Sequence, residues 1–235
     1  MYSIKAITDM ENLKTHIDPV LQQLKDSLLS LDYDKAKPLL YWLNDWGGKF
    51  LLEEDSFVPE NLIRYQRGMI VQAHLGFKIG SEQGGLHYSL VVENNNALRN
   101  PVIMVIPLRS LKDGELPENT DASEVFLGYD IFQDDIVNLK QKIERLEYAA
   151  QRVQEIERND SKLRAIKINI SKGTQRLQSL TKGTVAQVNQ MCTLSKLRIY
   201  HAKYNGDELF SLRLDPKKLD DIDEKVSSLY LKPKK

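Results

Sequence analysis

The chain has 235 residues, 41% hydrophobic and 28% charged, enough apolar sequence for one sizeable core with helical additions. Its 33 basic side chains balance 33 acidic ones, which excludes a global field drawing in a polyanion and leaves any nucleic-acid site to a local patch. Cys192 is the lone cysteine, so an intrachain disulfide is excluded, and the scattered His16, His74, His87 and His201 add no zinc-ligand cluster to it. No metal or other cofactor is expected. The opening residues lack a basic-then-apolar signal pattern, and the longest clear apolar stretch, Val102 to Leu108, is far short of the roughly 20 residues of a membrane-crossing helix. The expected setting is a reducing cytoplasm, with no membrane span.

Residues 9 to 53 read as helices. Leu13, Ile17, Val20, Leu21, Leu24 and Leu28 recur at three- and four-residue steps, with Lys14, Gln22 and Lys25 left to water. Asp18-Pro19 is expected to start a new helix, Pro38 ahead of Leu39, Leu40, Trp42, Leu43 and Trp46 another, and Gly47-Gly48 to interrupt it. From Tyr65 the period shortens to strand-like runs, Met69-Ile70-Val71, Leu90-Val91-Val92, Val102 to Ile106 and Val125-Phe126-Leu127, separated by Gly, Asn and Pro clusters. Ile136, Leu139, Ile143, Leu146, Ala150 and Val153 then restore a helical rhythm, resumed by Leu163, Ile166, Ile170, Leu177 and Leu180 after a turn at Asn159-Asp160-Ser161.

Two helical arms of some twenty residues, at about 1.5 Å per residue, extend on the order of 30 Å. Such an antiparallel coiled-coil hairpin either holds only itself together or offers a surface to a partner. After Gly183, Val185 to Val188 reads as a further strand, and Leu219, Ile222, Val226 and Leu229 as a last helix. The chain thus divides into an N-terminal helical extension (1–60), a β-rich unit in two parts (61–130 and 183–235) and the hairpin inserted between them (131–182). The expected fold class is α+β.

Arg67-Gly68-Met69-Ile70-Val71 followed by Gly80-Ser81-Glu82-Gln83-Gly84-Gly85 resembles the opening of PemK/MazF toxins, where an Arg-Gly-Asp strand leads into a Gly-Ser-Glu-Gln-Gly-Gly loop. Leu90 to Asn95 is similar to the family's next strand, Asn100 to Leu108 to the one after, and Gly183 to Ile199 to the strand ending in Gln-Ile-Arg-Thr, with Cys192 in place of the arginine. The resemblance covers about 100 residues in two pieces. It implies a small SH3-like curved β barrel, usually dimeric, interrupted here by the hairpin. It further implies a metal-independent endoribonuclease that cleaves single-stranded RNA as the toxin of a type II toxin-antitoxin system, with a cognate antitoxin as partner.

In the family an arginine after the double glycine and a threonine or serine ending the later strand carry catalysis. The matching positions here are His87 and Arg109, with Ser110 beside it. In an active reading His87, with an unperturbed pKa of about 6.5, moves the proton and Arg109 supplies the fixed charge. In the alternative the barrel is catalytically inactive and uses its groove and helical arm to bind RNA, DNA or a protein. Ser81, Glu82 and Gln83 either approach a phosphate or base from their glycine-flanked loop or form a simple turn. Arg67 either contacts substrate or anchors the barrel, and Phe77 and Tyr88 either stack on bases or pad the rim.

Overall fold

The computed structural model describes residues 7–154 and 160–232. The chain divides into two units, one reaching from the N-terminus to Phe57 together with Gly76–Gly80, the other comprising Val58–Leu75 and Ser81 onward. Sequence alone places the first boundary at residue 60, and it sets the hairpin apart from the β-rich part; by contacts, hairpin and strands form one unit.

In the first unit, α1 (Met10–Ser30) starts at Asp9, whose carboxylate accepts the Asn12 N–H at 2.8 Å and so satisfies one of the donors a helix start leaves open. Asp18-Pro19 does not begin a second helix. The helix runs through Pro19, because the missing N–H removes a single bond while the surrounding Leu and Gln residues favour helix on both sides. Likewise α2 (Tyr33–Asp45) contains Pro38. Gly47-Gly48 does not interrupt the chain either: it lies in a wide π-helical turn, Trp46–Phe50, that passes into the short helical segment Leu51–Glu53. Phe50 is buried and its ring stands 5.8 Å from that of Trp42, yet neither α1 nor α2 buries a residue of its own.

The second unit is α+β. Its strands are β1 (Ile70–His74), β2 (Leu86–Val91), β3 (Val102–Ser110), β4 (Glu124–Gly128), β5 (Thr184–Gln187), β6 (Cys192–Ser195) and β7 (Ile199–His201). Its helices are α3 (Gln133–Arg152), α4 (Asp160–Thr181) and α5 (Pro216–Tyr230). All strand pairs are antiparallel, and the sheet order is β4-β5-β3-β2-β1-β7, with β6 also beside β3.

Long β3 organises the sheet. One edge pairs with β2, aligning Ile106 with Leu90, while the other pairs first with β6 (Ile103 with Leu194) and then with β5 (Leu108 with Ala186). The 3-10 turn Val188–Gln190 separates β5 from β6 and lets one returning segment serve both halves of β3. The chain therefore does return across the insertion to the sheet it left. The sheet is open, with β4 and β7 ending the strand order.

Residues paired across strands share a face. Ile70, Leu90 and Ile106 form one such row, and with Leu108 and Ala186 they join a core that includes Phe132, Ile136 and Leu180 at the hairpin root and Ile222 of α5. The alternate residues Val71, Val91 and Val105 are wholly buried too, so both faces of the central strands are covered. The hairpin root is thus part of the core. Ile143 faces Gly173, where an added Cβ would lie 3.1 Å from Ile143 Cγ1, while Ile136 shares a cluster with Leu180. Only antiparallel helices give that register. Of the turn expected at Asn159-Asp160-Ser161, Asn159 lies outside the described residues and the other two begin α4.

Gly183 makes the turn from α4 into β5 at φ +88°, with Phe126 and Tyr129 ring atoms 3.0 Å from where a Cβ would stand. A side chain there meets both an unfavourable backbone and two rings. Gly183→Ala is expected to destabilise the unit by about 1–3 kcal/mol, read as a lower thermal midpoint; an unchanged midpoint would show that the turn adopts another path.

Candidate active-site cleft

A cleft of about 260 Å³ opens between the sheet and the hairpin root, and His87, Arg109, Ser110 and Tyr88 all line it. Their convergence follows from topology. β2 carries His87 and Tyr88, β3 ends in Arg109 and Ser110, and Phe132, Ser179 and Leu180 from the hairpin form the facing wall.

The Gln83 side-chain amide stands 2.7 Å from His87 Nε2. Burial pushes the His87 imidazole below its ordinary 6.5, against the opposing pull of hydrogen bonds with the Leu108 and Gly84 backbone. At neutral pH the ring is therefore uncharged and fit to accept a proton. The loop bearing Gln83 is clipped by Gln190 in the β5–β6 turn: Gln190 Oε1 accepts the Gln83 backbone N–H at 3.2 Å, and its Nε2 donates to the Ser81 carbonyl at 3.3 Å. Ser81, Glu82 and Gln83 thus sit on a turn tied to the returning segment.

Arg109 is held differently from its expected role. Nε donates to Glu124 Oε1 at 2.8 Å, Nη1 to Glu115 Oε2 at 2.8 Å and to the Ser110 carbonyl at 3.1 Å, and Nη2 to Glu115 Oε1 at 2.8 Å and to Glu124 Oε2. A guanidinium has five N–H donors, so all are engaged. Its side chain is 13% exposed and that of Glu124 7%. These bonds, Glu124's first and then Glu115's, raise the Arg109 pKa further, while the Arg109 hydrogen bond holds the Glu115 carboxyl down to about 2. One cation between two carboxylates is a net negative group with no donor left for a phosphate. Arg109 here braces β3 against the loop from Glu115 to Glu124.

Ser110 Oγ lies 2.8 Å from both the carbonyl and the hydroxyl of Ser179, tying the end of β3 to α4. Tyr88 packs its ring against Phe132, centroids 4.6 Å apart, and its hydroxyl accepts a hydrogen bond from Arg176 Nη2 at 2.7 Å. Burial pushes its phenol pKa up. Arg67 anchors the sheet to α5, donating to the Val92 carbonyl at 2.8 Å and to Asp223. Phe77 belongs to the other unit, within Gly76–Gly80.

Polar residues that the sequence does not single out for the site, among them Gln72, His201, Asp207 and Arg176, also stand beside the cleft. Strand register aligns Gln72 with Tyr88 on one side and His201 on the other, a row across β2, β1 and β7. His201 Nδ1 stands 3.1 Å from Asp207, whose other oxygen accepts the Lys203 N–H at 2.9 Å. Arg176, 42% exposed, lies 3.9 Å from Glu208 and acts on the half-buried Asp135, whose carboxyl burial pushes up. Among the described residues, no three His, Cys, Asp or Glu side chains converge as metal ligands, and no helix is long and apolar enough to cross a membrane.

No family model matches the chain, and no curated protein matches it.

Proposed function

We propose that the protein is a PemK/MazF-like toxin with a split SH3-like barrel, and that the cleft beneath the hairpin root cleaves single-stranded RNA without metal. The observation that supports this reading is the meeting of His87 with the end of β3 in one cleft, with the imidazole kept neutral by burial. A neutral imidazole takes the ribose 2′-hydroxyl proton as that oxygen attacks phosphorus; the bond from phosphorus to the 5′-oxygen breaks, and the leaving oxygen takes a proton from solvent water. Charge growing on the phosphate needs a cation. Arg176 fits that duty better than Arg109, since one hydrogen bond to Tyr88 leaves it donors to give. A cognate antitoxin and a homodimer belong to the same reading.

The saturated Arg109 favours a second reading, a catalytically inactive protein that binds RNA, DNA or another protein through this groove and the hairpin. Induced expression separates the two. Growth arrest by the full chain, lost with His87→Ala at equal protein level, supports the toxin; growth unaffected by the full chain supports the binding protein.

A further inference from the structure

The unit formed by the N-terminal helices carries an apolar groove that its own fold does not fill. Between α1 and α2 lies a groove of about 590 Å³, with Leu21, Leu28 and Leu29 on one wall and Tyr33, Leu40 and Tyr41 on the other. The side chains are well exposed: Leu29 is 76% accessible and Tyr33 71%. Apolar faces of this size are unfavourable in water and mark interaction surfaces.

Charge tells what kind of partner fits. The charged residues lining the groove are Lys25 from α1 and Lys37 from α2, and neither has a carboxylate partner among the described residues. Lys37 leans over the Tyr33 ring, its Nζ 5.4 Å from the centroid, so one cation stands directly at the apolar wall. The groove is therefore an apolar trough with a positive group contributed by each helix. A second copy packed symmetrically on the same face would set lysines against lysines. A helix with carboxylates flanking its apolar stripe would instead meet both cations while covering the leucines.

We propose that the α1–α2 groove is a docking site for an amphipathic helix of another protein, one whose apolar stripe is edged by Asp or Glu. The helix lies along the trough as a third helix, its apolar side chains seated between the leucines and the two tyrosines. Lys25 and Lys37 set its preference for acidic edges.

Two fluorescein-labelled 20-residue helical peptides test this on the full chain by fluorescence anisotropy; both carry the same leucine stripe, one edged with glutamate and the other with lysine. The glutamate peptide is expected to bind at least about tenfold more tightly, an advantage shrinking as salt rises. The double variant Lys25→Glu with Lys37→Glu changes exposed side chains only, and it is expected to reverse the preference, while Leu40→Asp weakens both peptides. Equal binding of the two peptides, a preference unchanged in the double variant, or no binding at all would overturn the proposal. So would sedimentation showing a dimer that Leu21→Asp converts to monomer, since the groove would then be filled by a second copy.

Discussion

Arg109→Met is expected to lower the stability of the β-rich unit by about 3 kcal/mol, near the low end of what breaking a buried ion pair costs. The cause is the stranded Glu124, whose side chain is 7% exposed and loses its bonds to Nε and Nη2 when the guanidinium goes. Urea unfolding reads this as a midpoint lower by about 1 M at an unchanged slope. Replacing Glu115 and Glu124 by glutamine in the same chain removes the stranded charges and is expected to restore part of the loss. The triad also has an acid signature. The folded Glu115 carboxyl ionises at about 2 against 4.5 unperturbed, so its contribution is present above about pH 4.5 and is lost as pH falls from there towards 2. Arg109→Met is expected to flatten that part of the stability curve. A variant with wild-type urea midpoint and acid profile would mean that the triad does not brace β3, and Arg109 would return as a candidate phosphate ligand.

His87→Ala is expected to cut the proposed RNA cleavage by about 100-fold or more while leaving the unfolding free energy within roughly 1 kcal/mol of wild type, since general base catalysis commonly contributes 10²–10⁴. The pH profile carries the assignment. A base works in its neutral form, and burial pushes the His87 pKa below 6.5, so the wild-type rate should be flat through neutrality and fall only in more acidic solution. His87→Ala should lose that acid limb. If the limb persists in the variant, the titrating group is another one, and the His201–Asp207 pair, 3.1 Å apart beside the cleft, is the next to replace.

The strand segments were legible because their apolar runs are short and bounded by Gly, Asn and Pro; β1, β3 and β4 stand where Ile70-Val71, Val102 to Ile106 and Val125 to Leu127 indicate. The hairpin was legible for a different reason, a long period-seven rhythm on both arms. Prolines misled in α1 and α2, where the loss of one backbone bond is outweighed by helix on either side, and Gly47-Gly48 widened a helical turn instead of ending it. The site was half visible. His87, Tyr88, Arg109 and Ser110 do share a cleft, yet of the partners that engage Arg109, Glu115 comes from an aperiodic loop and Glu124 is the first residue of β4, and no spacing marks either as its partner. Arg176 reads in the sequence as one more cation on an amphipathic helix, and His201 enters the row with Gln72 and Tyr88 only through the pairing of β7 with β1. Long-range register of that kind leaves no local pattern.

The RNA cleavage proposed for this cleft is tested most directly by the ends of the fragments. Purified full chain is incubated with a long single-stranded RNA in the presence of chelator, and the termini are identified. Internal attack by the ribose hydroxyl predicts new 5′-hydroxyl ends paired with 2′,3′-cyclic phosphates, formed by wild type and not by His87→Ala; RNA left intact, or fragments bearing 5′-phosphates, would contradict it.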